Sequence, residues 1–80
     1  MTPPTNRRRF LVETCAEGDA LIRVLTPFAV QGAELAAVSL ARAGPGLAIR
    51  IEADGLEPRR ADTLLRRLEA LPVVRSVRVG

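Results

Sequence analysis

Cys15 is the only thiol in this chain of 80 residues, and it stands four residues before Asp19 in the stretch TCAEGDALIRVL, residues 14 to 25. A thiol beside an acid could attack an electrophile, ligate a metal or respond to oxidants. Each of those chemistries needs a neighbour that is missing here. The sequence has no histidine, lysine, tyrosine or tryptophan, so no imidazole is present to raise the thiolate fraction of Cys15. Proton transfer at neutral pH would fall to carboxylates alone. The acids are scattered along the chain, and no Cys-x-x-Cys completes a metal-ligand set. Cys15 is therefore read as a small half-buried strand residue. No catalytic residue, metal or cofactor is expected.

Charge is the second source of chemistry. The formal net charge is +3, and Arg7, Arg8 and Arg9 account for it, because the other nine arginines balance nine acids. A basic arm could touch phosphates, yet a solvated tail is the simpler reading. Recognition of RNA on a small sheet uses aromatic stacking, and the first strand-like run, FLVETCA, offers only Phe10. The arginine pairs Arg59–Arg60 and Arg66–Arg67 alternate with Asp62 and Glu69, as on a solvated helix face. Nucleic acid is thus the second reading and not the first. No apolar run approaches the ~18 residues that cross a bilayer, MTPPTNRRRF lacks the apolar core of a secretion signal, and a lone cysteine suits the cytoplasm. No membrane partner is expected.

The elements that position these residues follow from periodicity. Residues 1 to 7 read as a loose tail and 8 to 80 as one domain. RRFLVETCA alternates, with Phe10, Val12 and Thr14 on one side. Gly18 turns the chain and Asp19 occupies an N-cap position. Leu21, Val24, Leu25 and Phe28 form one helical stripe, closed by Gly32. Pro27 lies off that stripe, so the spacing predicts a bent helix with the proline outward. ELAAVSLAR (34–42) and LAIRIEA (47–53) read as strands joined through Gly44-Pro45-Gly46. Pro58 opens a second helix with Ala61, Leu64, Leu65, Leu68 and Leu71 on its apolar face. SVRVG supplies the last strand through Val77 and Val79.

The order β-α-β-β-α-β gives an α+β class, a ferredoxin-like four-stranded antiparallel sheet with two helices on one face. In that strand order the second strand is an edge. Both of its sides, Leu35/Ala37/Ser39 and Ala36/Val38/Leu40, are nearly uncharged. An uncharged edge invites pairing unless it is covered, so residues Leu35 to Ala41 are expected to pair with the same strand of a second copy.

These residues resemble the ACT domain family, a ferredoxin-like regulatory module that senses amino acids, from about Phe10 to Val79. LIRVLTPFAVQGAEL matches that family's first helix, closing glycine and return strand. LIRVL before QG, AIRIEA, and ADTLLRRLEALPVVRSVRV make the small regulatory subunit of acetolactate synthase the most similar member. The resemblance implies a homodimer through the second strand and first helix, a large catalytic subunit as a partner, and a small amino-acid effector, with branched-chain amino acids as first candidates. It also implies that an effector would sit against the loop CAEGDA. The ligand-binding candidates are Glu17, Gly18, Asp19 and Ala20, with Ala33, Glu34 and Leu35 opposite. Sensing members carry Asn-x-x-Gly in this loop. Here Ala16 and Asp19 stand at those positions and glycine comes one residue early, at Gly18. An Asp19 carboxylate capping the helix would compete with a ligand carboxylate, so a cap is favoured over amino-acid capture. A phosphohydrolase on the same fold would need an arginine–asparagine or histidine arrangement that the sequence does not contain.

Overall fold

Alternation of apolar and polar residues makes the first run a strand with two unlike sides. In the computed structural model, which describes residues 7–80, this is β1 (Arg8–Cys15). Phe10, Val12 and Thr14 are buried on one side, as expected. The other elements are α1 (Ala20–Val30), β2 (Glu34–Ala43), β3 (Gly46–Asp54), α2 (Pro58–Glu69) and β4 (Val74–Val79). They form one antiparallel sheet in the order β2-β3-β1-β4, the ferredoxin-like arrangement. β2 is an edge.

Local chemistry explains where the elements stop. α1 ends in a Schellman motif: Gly32 donates its N–H to the Ala29 carbonyl and Ala33 donates to Phe28, both at 3.0 Å. Gly32 has φ +75°, a conformation that costs any residue with a Cβ about 1–2 kcal/mol. Pro58 starts α2 at its first turn. Leu56 and Ala61, which flank that start as N′ and N4, are both buried in the core, as in a hydrophobic staple. The hairpin between β2 and β3 turns through Gly44 and Pro45, with Ala43 paired to Gly46 and Gly44 at φ +58°.

The core lies between the helices and one face of the sheet. Phe10 and Phe28 meet edge to face, with ring centroids 5.0 Å apart at 85°. Val12, Val24, Ile49, Ile51, Leu64 and Leu68 close around them with no exposure. Three details differ from the sequence expectation. Pro27 does not point outward: α1 runs through it unbroken, and its ring is half-buried in a groove shared with α2. β4 begins at Val74 and not Ser76, because Val74 pairs with Thr14 across an irregularity beside Glu13. Val79 remains 43% exposed, since β4 is the other edge. The tail expected over residues 1 to 7 lies outside the described residues except for Arg7.

A tight approach locks the hairpin onto β1. A Cβ added to Gly46 would stand 2.0 Å from the Thr14 carbonyl oxygen, whereas one added to Gly44 would meet nothing within 4 Å. Gly46→Ala is expected to cost about 3 kcal/mol through backbone overpacking, and Gly44→Ala about 1 kcal/mol through its φ alone. Urea denaturation of the two variants checks this. Equal losses would show that the close approach does not matter.

Candidate functional site

Glu17, Gly18 and Asp19 form an exposed turn ahead of α1, and Ala20 is buried at its first position. Asp19 does occupy the N-cap position, but its side chain makes no capping hydrogen bond. Its carboxylate instead accepts from Arg23 Nε at 2.7 Å, an i,i+4 pair. This corrects the expected cap. The arginine one turn on is a stronger partner for a charged oxygen than a backbone amide is. The Ala20 N–H donates to the Glu17 carbonyl at 3.1 Å, and the N–H groups of Leu21 and Ile22 are left without a side-chain acceptor.

Ala33, Glu34 and Leu35 are at the opposite end of α1. An eleven-residue helix spans about 16 Å, so the two halves of the candidate site are not brought together within one chain.

Along β2 every residue from Glu34 to Arg42 is exposed. Register places Val38 opposite Ile51 and Leu40 opposite Ile49, which turns both toward the helix side. They nevertheless stay 40% and 44% exposed, and Leu35 is 44% exposed. The helix layer does not reach over this strand. Ile22 on α1 is exposed as well. Helical spacing puts Leu25 and Ala29 on the flank away from Pro27 and Val30, which line the groove against α2, with Ile22 between the two on the outward side of α1. The β2 side of the domain is thus an apolar strip formed by one strand and one helix flank.

Cys15 is half-buried at the end of β1, with its thiol 3.3 Å from the Val73 carbonyl oxygen. That agrees with the packing role read from the sequence. Among the described residues no three His, Cys, Asp or Glu side chains gather where a metal could be held. No helix among them is long and apolar enough to cross a membrane.

The sheet face turned away from the helices carries charge. Arg7 grips Asp54 with two hydrogen bonds of 2.9 Å and lies 3.8 Å from Glu52. The hydrogen bond and then the charge of Asp54 raise the Arg7 guanidinium above its ordinary pKa. Arg8 Nε donates to the Leu56 carbonyl, and Arg9 pairs backbone to backbone with Gly80. The three arginines expected to form a free arm are therefore drawn onto the sheet. Register also gathers Arg50 and Arg78 on either side of Leu11, with Arg9 two residues along. Sequence reading did not find this group, because its members are far apart in the chain. Arg66 on α2 pairs with Asp62, as expected of a solvated helix face.

A family model described as an ACT-like domain matches residues 4–80. Among solved structures, the C-terminal domain of the MgtC protein from Mycobacterium tuberculosis is similar at TM-score 0.80 and 14% identity, over 100% of this chain and 90% of that one. The ACT domain from GTP pyrophosphokinase of Chlorobium tepidum is similar at TM-score 0.81 and 8% identity, over 96% and 100%. A homoserine dehydrogenase from Thiobacillus denitrificans matches at TM-score 0.72 and 13% identity, over 94% of this chain and 17% of the enzyme. Identities this low speak for the fold alone. No curated protein sequence matches significantly.

Asp19→Ala separates the two roles of this side chain. An exposed i,i+4 ion pair contributes about 0.3–0.5 kcal/mol, whereas a working cap contributes about 1 kcal/mol or more. The variant is expected to lose no more than about 0.5 kcal/mol in denaturant titration, and a loss well above this would restore the cap.

Proposed function

The chain belongs to the ACT-like domain family, and from that premise we propose that it is a non-catalytic regulatory module that works as a homodimer in the cytoplasm. In this reading it serves either as the small regulatory subunit of an amino-acid biosynthetic enzyme, like that of acetolactate synthase, or as a stand-alone amino-acid sensor. The observation that carries the proposal is the bare edge of β2. Its uncharged backbone row and the half-exposed Leu35, Val38 and Leu40 leave hydrogen-bonding groups and apolar area without cover. Burying such a side chain fully stabilises by about 1.5–3 kcal/mol, so even partial cover of three of them favours association. Pairing Leu35, Ala36, Ala37, Val38, Ser39, Leu40 and Ala41 with the same strand of a second copy would give a continuous eight-stranded sheet.

The same symmetry would complete the effector site. Cys15 and Ala43 both pair with Gly46, so the end of β2 lies at the end of the sheet where α1 begins. Antiparallel pairing of two β2 strands would bring Glu34 of the partner subunit to that end. Glu17, Gly18, Asp19 and Ala20 of one chain would then face Ala33, Glu34 and Leu35 of the partner subunit. The N–H groups of Leu21 and Ile22, uncapped by Asp19, suit the carboxylate of an amino acid, and the exposed Ile22 suits an aliphatic side chain. Valine, leucine and isoleucine are the first candidates. The nucleic-acid reading loses support because Arg7, which it needs free, is held by Asp54.

Light scattering tests the dimer. The wild type is expected at twice the chain mass of 8.6 kDa, and Val38→Glu with Leu40→Glu is expected to reduce it to one chain mass without loss of helix signal. A wild-type monomer at micromolar concentration would end the proposal. Titration calorimetry with valine, leucine and isoleucine then divides its two forms. Heat that disappears in the monomeric variant supports the sensor. No heat with any of the three removes the sensor and leaves the subunit form, which co-purification with a large synthase from the native host would support.

A further inference from the structure

We propose that the open face of the sheet binds a polyphosphate anion of nucleotide size, seated over Leu11 between Arg9, Arg50 and Arg78. The three arginines come from three different strands. Leu11 of β1 pairs with Arg50 of β3 on one side and with Arg78 of β4 on the other, so their Cα atoms stand about 10 Å apart, two strand spacings. Arg9 is on the same face of β1, two residues away. Together they line a depression of about 490 Å³, within the range of small-ligand sites.

What distinguishes this group is that, among the described residues, its three arginines have no acid partner, although Glu52 also lines the depression. Glu52, opposite Arg9 in the register, lies 3.8 Å from Arg7, and Asp54 is held by Arg7 through two hydrogen bonds. Glu13, the next open-face residue along β1, accepts from the Ser76 hydroxyl at 2.8 Å. Among the described residues no carboxylate comes within 4.0 Å of the Arg9, Arg50 or Arg78 guanidinium. Three forked cations over an apolar floor match the charge and geometry of linked phosphates better than those of a single carboxylate. A nucleic-acid strand fits less well, since Phe10 is in the core against Phe28 and no aromatic ring is left on this face for base stacking. The site lies on the face of the sheet turned away from α1; Arg50 neighbours Ser39 of β2, but none of the candidate effector residues lines the depression, so its test is read separately from the amino-acid proposal.

Calorimetric titration of the full chain with ADP and with inorganic pyrophosphate at low ionic strength is the test. Saturable binding of one anion per chain is expected. Arg50→Gln with Arg78→Gln is expected to weaken it at least about tenfold. Both residues are exposed, and among the described residues neither guanidinium has an ion-pair partner, so the variant should keep its circular dichroism spectrum. Arg59→Gln with Arg67→Gln on α2 makes the same charge change on the helix side and should leave binding unaltered. Three results would overturn the proposal: no heat with either anion, equal weakening by the two double variants, or tighter binding of a single-stranded oligonucleotide with several chains per strand.

Discussion

The register of β1 is the constraint to which the rest of the structure is referred. β1 is bonded along both sides, to β3 from Arg8 to Cys15 and to β4 from Phe10 to Thr14. Because successive side chains alternate, a slip of one residue would send Phe10, Val12 and Thr14 to the open face and bring Arg9, Leu11 and Glu13 under the helices. The core, with only two aromatic residues, has no reserve against that exchange. Gly46 helps to fix the register from the far end, since its backbone sits too close to Thr14 for any side chain. The same register decides which arginines gather around Leu11. Stability and surface chemistry are therefore set by one alignment.

Much of the fold was legible in the sequence because it is written in local periods. Alternation in LAIRIEA gave β3, the i, i+3, i+4 stripe gave α2, and Gly32 closed α1 through φ and hydrogen bonds that only its neighbours determine. What was not legible depended on choices between partners. Asp19 was read as a cap from its position, but Arg23 outbid the backbone amides for its carboxylate. Pro27 was placed outward from its offset to the apolar stripe, yet α2 reaches over that flank. Leu56 and Val73, both buried, lie outside the periodic runs. A staple rule applied to Leu56 and Ala61 would have found the first. The grouping of Arg9, Arg50 and Arg78 needs strand order and register together, and no window of sequence contains either.

The two sides of the domain differ in how they treat association. The open face carries charged residues on every strand, on β2 only at Glu34, opposite Asp54, and stacking two such faces would bury those charges at a cost that only paired partners offset. β2 carries charge at Glu34 and Arg42 only, near its ends. Natural edges are blunted by lysine, proline, inward charges or repeated bulges. The segment from Ala37 to Ala41 has none of these, and the single irregularity lies earlier, between Leu35 and Ala37. Among the ways two copies could meet, the charged face disfavours stacking while the bare edge leaves lateral pairing unopposed. This asymmetry singles out β2 before any ligand is considered. A chain of 80 residues with a small core thus leaves Leu35, Val38 and Leu40 exposed along one edge. In the proposed dimer a second molecule would bury the side chains on β2, and the proposed effector site lies where that burial would take place.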